Sequence, residues 1–215
     1  MTVTYVHTRV RCRPRQWSDT AEAIGARVAT DLAPAGGALY GVWRSQIGRP
    51  RDELTVISAW PSAVAAERAE AALVAADAVG GIESEAMDPT LRPNDPTPPA
   101  RQGNYAFRWF ELAVDDWPEF LELCAAAWPG FEAAYDSQVI GLWRLASTAP
   151  DRVRSLLLTR RLDLAMWERS KLPQGEAEAE VRRKLSRRYD LCDWTVVYTA
   201  TLLTATDAED KARWT

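Results

Sequence analysis

The stretch Gly41-Val42-Trp43-Arg44 returns 100 residues later as Gly141-Leu142-Trp143-Arg144. Glycine and tryptophan are residue types that seldom match by accident, and no gap is needed to align the two stretches. Other positions match at the same offset, among them Tyr5 with Tyr105, Trp17 with Trp117, Glu22 with Glu122, and Pro50 with Pro150. We therefore interpret the chain of 215 residues as two copies of one unit.

Each copy shows the same order of sequence patterns. An alternating polar and apolar strand is followed by a helix, by two strands, by a second helix and by a last strand. The order βαββαβ is that of a ferredoxin-like fold. One face of such a sheet carries no helices, so we expect an α+β fold in which the two copies pack sheet to sheet as a pseudo-dimeric barrel. In the first copy we predict strands at 4–12, 54–60 and 82–87 and helices at 19–32 and 62–78. In the second copy we predict strands at 105–114, 155–159 and 194–203 and a helix at 163–171. A further strand in each copy runs through the Gly-x-Trp-Arg tetrapeptide.

The copies are joined and extended differently. We predict a first repeat at 1–88, a linker at 89–103 and a second repeat at 104–215. Prolines in the linker favour an extended and stiff crossover. The second copy has an insertion at about 172–190 that includes a charged helix. We interpret the basic run of this helix, from Arg182 to Arg188, as a solvated face.

The composition narrows the class of function. A net charge of −4 and a pI near 5.2 argue against a nucleic-acid partner. No apolar run is long enough for a membrane span or a signal peptide, and three widely spaced cysteines are typical of a cytoplasmic protein with reduced thiols. The sequence has no nucleotide-binding motif and no metal-ligand spacing, so we expect neither a cofactor nor a metal.

The stretch Tyr105-Ala106-Phe107-Arg108-Trp109-Phe110 resembles the first strand of NIPSNAP-family proteins. Residues 41–48 and 56–60 resemble the second and third strands of that family. The resemblance implies a dimeric α+β barrel, and the wider superfamily includes cofactor-independent monooxygenases, isomerases, lyases and haem enzymes. It supplies no established activity. The sequence departs from the family at two positions. Thr8 occupies the position of the first copy that is equivalent to Arg108, and Ser58 stands where a histidine is frequent.

The alternation of strand side chains predicts which residues share a face. If Arg108 follows the family, it points into the barrel, where it either clamps an anionic or carbonyl group of a ligand or forms a structural ion pair. His7, the only histidine, then faces the helices as a structural residue. Trp43 and Trp143 are predicted to pack against the helices as well.

Two functions are compatible with this sequence. One is an enzyme, independent of metal and nucleotide, that acts on a small hydrophobic or aromatic oxygenated substrate in the barrel cavity by monooxygenase, isomerase or lyase chemistry. The alternative is a non-catalytic barrel that binds a small molecule or a protein. A homodimer of the whole chain is left open. The candidate catalytic residues are Arg108, Arg144 and Glu111, and the candidate substrate-binding residues are Arg44, Phe110, Tyr5 and Trp60.

At some equivalent positions the two copies carry residues of different chemistry, so we expect any site to be asymmetric. Thr8 stands against Arg108, and Arg11 stands against Glu111. The second copy, with Arg108 and the insertion, is therefore expected to hold the site. Arg44 and Arg144 occur in both copies, and such recurrence is also typical of a structural role.

Overall fold

The computed structural model describes residues 3–61, 66–73, 79–146 and 148–207. Most of the helix predicted at 62–78 lies outside these ranges, and the part that is described is helical. The strands are β1 (Thr4–Cys12), β2 (Ala38–Ile47), β3 (Glu53–Trp60), β4 (Val79–Arg92), β5 (Asn104–Ala113), β6 (Ser137–Leu145), β7 (Arg152–Arg161) and β8 (Cys192–Leu202). The helices are α1 (Trp17–Arg27), continued by a π-helical turn at Val28–Leu32, then α2 (Ala66–Leu73), α3 (Trp117–Tyr135), α4 (Leu164–Arg169) and α5 (Glu176–Asp190).

The eight strands form one closed antiparallel barrel in the order β1-β3-β2-β8-β5-β7-β6-β4. The four strands of each repeat are neighbours, and the pairs β2–β8 and β4–β6 join the two halves. The prediction of two tandem ferredoxin-like repeats closed as a pseudo-dimeric α+β barrel is confirmed. Strand β4 continues to Arg92, beyond the predicted end at 87, because its last part pairs with β6.

The barrel interior is filled with aromatic side chains. The rings of Phe107 and Tyr198 stack with centroids 5.1 Å apart, and Tyr5 contacts Trp143 edge-on at 5.5 Å. Such edge-to-face and offset contacts are the favourable geometries of aromatic pairs. The largest members of this core are Tyr5, Tyr40, Trp43, Tyr105, Phe107, Trp109, Trp143 and Tyr198.

The predicted orientation of the strands is wrong. Phe107 and Trp109 face the barrel interior, whereas Arg108 and Phe110 face the helices of the second half. Alternation along a strand separates two faces but does not say which of them turns inward. Here the face with the larger rings closes on its counterpart in the other sheet, so Trp43 and Trp143 also lie inside the barrel.

The repeated Gly-x-Trp motif has a steric explanation. In each copy the tryptophan ring folds back over the glycine two positions earlier on the same strand face. A Cβ placed on Gly41 would lie within 3.0 Å of three ring carbons of Trp43, and Gly141 stands in the same relation to Trp143. The register of both strands shifts just before the glycine. Glycine is therefore required here by the space that the ring occupies.

The helices cover the outer face of the barrel. In the first half, α1 and α2 enclose an aliphatic core around Val6, Val10 and Ile24. In the second half, α3 and α5 pack on each other and on the sheet around Phe110, Phe120 and Val181. Pro118 at the start of α3 suits the first turn of a helix, where its missing N–H costs nothing. None of the helices within the described residues is long and apolar enough to cross a membrane.

Candidate functional site

A pocket lies between the outer face of the sheet and the helices of the second half. Its volume is about 230 Å³. Strands β5, β6 and β7 form the floor, α3 one wall, and α4 and α5 the other wall and the mouth. The lining residues are Ala106, Arg108, Phe110, Trp128, Phe131, Val139, Leu157, Thr159, Arg161, Trp167, Ser170, Lys171, Arg182, Leu185, Ser186, Arg188 and Tyr189.

Two arginines stand on the floor of the pocket. Arg108 on β5 makes no hydrogen bond and no ion pair with any residue that the structure describes. Burial, and then the positive charges of Arg188 and Arg182, lower the pKa of Arg108 to about 10. Burial, and then the charge of Arg108, likewise lower the pKa of Arg161 to about 10. Both guanidinium groups stay charged at neutral pH, so the pocket holds positive charge at a cost in free energy.

The partners of Arg161 and Arg188 are weak. One terminal nitrogen of Arg161 donates to the Thr159 hydroxyl over 3.0 Å, while its Nε is buried without a partner. Arg188, which is 8% exposed, lies over the ring of Phe110 with 4.9 Å between guanidinium carbon and centroid. It donates to the Cys124 sulfur over 3.5 Å, and its Nε is also unpartnered. No Asp or Glu stands among the described residues that line the pocket.

The segment between α4 and α5 is anchored beside the mouth of the pocket by one carboxylate. Glu178 accepts hydrogen bonds from Arg169 at 2.7 and 2.9 Å, from the backbone nitrogen of Gln174 at 2.7 Å and from the Tyr135 hydroxyl at 3.1 Å. The Arg169 bonds first, and then the Gln174 bond, lower the pKa of Glu178 to about 2. These bonds join the insertion to α3, so the pocket mouth has a defined shape.

The structure brings together two of the residues proposed from sequence, Arg108 and Phe110. Arg144 is partly exposed on β6 and does not line the pocket, and Glu111 is partly buried near the end of β5. The guanidinium of Arg44 lies 3.9 Å from the ring centroid of Trp17, which is a packing role on α1.

The other two candidates are structural in their contacts. Tyr5 belongs to the barrel interior, where its hydroxyl donates to the Asp95 carbonyl over 3.2 Å. Trp60 belongs to the core of the first half and donates from its indole nitrogen to the Ser58 hydroxyl over 2.9 Å. Thr8, the counterpart of Arg108, is buried and shares a hydrogen bond of 2.9 Å with the Ser84 hydroxyl.

Most of the cationic residues that line the pocket were not among the candidates proposed from the sequence. The interpretation of the run from Arg182 to Arg188 as a solvated face is correct for Arg183 and Arg187, which form exposed ion pairs with Glu180 and Glu119. It is wrong for Arg182 and Arg188, which line the pocket. The spacing of Val181, Leu185 and Arg188 is that of one helix face, so helical periodicity placed Arg188 on the buried side.

His7 lies in the barrel interior, contrary to its predicted place beside the helices. Its ring contacts Trp109 edge-on at 5.1 Å, and its Nε2 is 3.3 Å from the Tyr198 hydroxyl. Burial, followed by the charges of Arg9, Arg49 and Arg154, lowers the pKa of His7 to about 3. The imidazole is therefore neutral at physiological pH, on the side of the sheet away from the pocket.

Protonation of His7 is expected to destabilise the fold in acid. As the pH falls below about 6.5, His7 becomes protonated in the unfolded chain, whereas in the folded chain it stays neutral until about pH 3. Stability therefore decreases across this window, with a slope of at most ~1.4 kcal/mol per pH unit from this residue. Urea unfolding at several pH values should show that slope in the wild type relative to His7→Phe. Parallel curves for the two proteins would mean that His7 is not held neutral.

No group of three His, Cys, Asp or Glu side chains suited to a metal ion occurs within the described part of the chain. No family model matches the sequence, and no curated protein matches it. Solved structures do share the fold over nearly the whole chain.

A candidate monooxygenase from Lactobacillus acidophilus NCFM is 8% identical, with 95% of this chain and 98% of that chain covered and a TM-score of 0.58. An anthrone oxidase-like protein is 13% identical, with 94% and 91% covered and a TM-score of 0.59. A haem-binding protein from Thermus thermophilus is 17% identical, with 99% and 94% covered and a TM-score of 0.58. At such identities the likeness establishes the fold alone.

Proposed function

We propose that the protein binds a small molecule with an aromatic or other apolar body and an anionic oxygen in the pocket of its second half, and acts on it as an enzyme. The observation that carries this proposal is the convergence of Arg108, Arg161 and Arg188 on one pocket whose described lining has no carboxylate. Three largely buried cations without anionic partners are costly in free energy, and an anionic ligand would relieve that cost.

The walls of the pocket suit an aromatic ligand. Trp128, Phe131 and Trp167 offer flat apolar surfaces, and the guanidinium of Arg161 lies 5.2 Å from the centroid of Phe131. A planar guanidinium on the floor can donate two parallel hydrogen bonds to a carboxylate or stabilise a phenolate or enolate oxygen. This location replaces the barrel cavity expected from the sequence, because the barrel interior is filled with aromatic rings.

Haem does not fit this pocket through the ligands that proteins most often use for its iron. The only histidine, His7, lies inside the barrel, across the sheet from the pocket. No Cys or Met stands among the described lining residues either. The cavity of about 230 Å³ is also below the range of roughly 300–1,000 Å³ in which sites for drug-sized ligands fall. The haem-binding protein from Thermus thermophilus therefore resembles this chain in fold, and we do not include haem in the proposed function.

The class of reaction that we favour is oxidation or isomerisation of an oxygenated aromatic compound through an anionic intermediate. The anthrone oxidase-like relative and the candidate monooxygenase support this class by their names, on the same fold. The cationic floor would lower the pKa of an enol or phenol bound there and hold the resulting anion. We also propose that the chain is related to the NIPSNAP family, because the strand residues 41–48, 56–60 and 105–110 resemble that family.

The binding part of the proposal predicts a preference for acids over their neutral amides. Titration of intrinsic fluorescence, to which Trp128 and Trp167 contribute, should show 1-naphthoate binding at least tenfold more tightly than 1-naphthamide, which has nearly the same shape. A charge-assisted hydrogen bond of about 1.5–3 kcal/mol is enough for that ratio. Equal affinities for acid and amide would contradict an anion site.

Oxygen consumption separates the enzyme from the alternative, a barrel that only binds its ligand. With anthrone as substrate, uptake of one O₂ per anthraquinone and water formed is expected above the uncatalysed rate. Loss of that excess in an Arg108→Met variant would connect the activity to the pocket. Tight binding of acids without turnover of any oxygenated aromatic compound tested would instead favour the non-catalytic binding protein.

A further inference from the structure

Lys171 is a second kind of functional group at this pocket. It lies two residues after the end of α4, at the start of the insertion that only the second repeat has, and it lines the mouth of the pocket. Its ammonium nitrogen lies 5.7 Å from the ring centroid of Trp167. No ion pair joins it to any carboxylate in the part of the chain that the structure describes. The residue is exposed toward solvent, so a ligand can reach it.

Four cationic side chains among the described residues lie close enough to Lys171 to act on its charge. Arg108 faces it from β5, Arg161 from β7, and Arg182 and Arg188 from α5. Tyr189 on α5 adds a hydroxyl at the mouth. Burial of the amine and then these four positive charges lower the pKa of Lys171 to about 8. Because Lys171 is also exposed to solvent, both effects are partly screened.

Lys171 lines the same pocket as the floor arginines, which places an amine beside an anion site, and its lowered pKa gives it a larger neutral fraction than an ordinary lysine has. Protonated lysine has no lone pair, and clustering of positive charge is a recognised way to obtain the neutral amine near physiological pH. The floor arginines would hold the carboxylate of a ligand, and Lys171 would meet the other end of the same molecule at the mouth.

We propose that Lys171 forms a reversible imine with the carbonyl carbon of an aromatic aldehyde acid or aryl oxo acid whose carboxylate rests on Arg108 and Arg161. This inference rests on the anion site of the proposed function and names its substrate class. The amine nitrogen bonds to the carbonyl carbon, and a proton passes from nitrogen to the carbonyl oxygen. The resulting hydroxyl group takes the remaining proton of the nitrogen and leaves as water, and a C=N bond remains. No electrons are gained or lost, so no oxidant is needed.

The test uses 4-formylbenzoate, in which a carboxylate and an aldehyde stand at opposite ends of one ring. The full-length protein is incubated with this probe and sodium cyanoborohydride, which reduces the imine to a stable amine, and the product is mapped by peptide mass spectrometry. We expect labelling of Lys171 at least tenfold faster than with methyl 4-formylbenzoate, which lacks the anion. Labelling of Lys171 should already be rapid at pH 8, where about half of its amine is neutral.

Lys184 is the matched control, because it lies on α5 and pairs with Glu180 at 3.5 Å on the solvent side. Lys171→Met should abolish the fast labelling, whereas Lys184→Met should leave it unchanged. Both positions are at the surface or partly exposed, so circular dichroism should show that both variants fold.

The possible failures are distinguishable. If 4-formylbenzoate displaces 1-naphthoate but labels Lys171 and Lys184 at similar rates, the anion site stands and the imine proposal is wrong. Fast labelling that persists in Lys171→Met would also overturn it. If neither compound binds, the proposed function fails and the imine proposal fails with it.

Discussion

Replacement of Arg108 by methionine is expected to stabilise the ligand-free protein while removing most of its affinity for anionic aromatic ligands. Arg108 is largely buried on the floor of the pocket beside Arg188 and Arg182, with no carboxylate partner among the described residues. Methionine fills similar space without a charge, so we expect a gain of about 1–2 kcal/mol in the free energy of unfolding. Loss of a charged hydrogen bond should weaken 1-naphthoate binding by roughly 10- to 150-fold.

Opposite signs in the two measurements make this prediction specific. A purely structural arginine would give the reverse result: lower stability in urea unfolding and unchanged ligand affinity. Arg11→Met is a suitable control, because Arg11 is exposed and pairs with Glu83 at 2.5 Å, far from the pocket. That variant should lose at most ~1 kcal/mol of stability and bind 1-naphthoate as the wild type does.

Truncation of the interior tryptophan of the repeated motif should have the largest effect on stability. Trp143 is fully buried in the barrel, in contact with Tyr5 and Tyr40. Trp143→Ala removes these ring contacts and leaves a cavity, for which a loss of about 3–5 kcal/mol is expected. Gly141→Ala should cost about 1–3 kcal/mol by itself, because the new methyl group would meet the Trp143 ring within 3.0 Å.

The two changes should not add. Once the Trp143 ring is gone, the methyl group introduced by Gly141→Ala has room, so the double variant should be more stable than the sum of the single losses by about 1–2 kcal/mol. Gly80→Ala is the control, since a Cβ there meets only the Arg11 carbonyl oxygen at an ordinary 3.5 Å. Additive losses for Gly141 and Trp143, or an equal loss at Gly80, would contradict the steric explanation of the motif.

Much of the fold could be predicted because its signals are local or repeated. The alternation of 105–114, the apolar strand 54–60 and the two Gly-x-Trp-Arg stretches each identify a strand, and the offset of 100 residues identifies their pairing into two similar units. Little of the site could be predicted. Arg108 and Phe110 do share one face, as their spacing predicts, but Arg144, Glu111 and Tyr5 lie elsewhere.

The pocket residues that were not predicted come from separate parts of the sequence. Arg161 comes from the end of β7, Lys171 from the turn after α4, and Arg188 from the buried side of α5. No spacing in the sequence connects these three positions. Only the periodicity of Val181, Leu185 and Arg188 could have indicated that one basic residue of the run, which we interpreted as solvated, turns inward.

The sequence by itself determined the duplicated βαββαβ unit, the sorting of each strand into two faces, and the pairing of a glycine with the tryptophan two residues later in both copies. The tertiary structure alone decided which face turned inward, since alternation is the same whichever side is buried. Two sheets that close on each other place their largest rings between them, where most apolar area is removed from water. The arginines on the opposite face were left beneath α3 and α5, and there they surround a pocket.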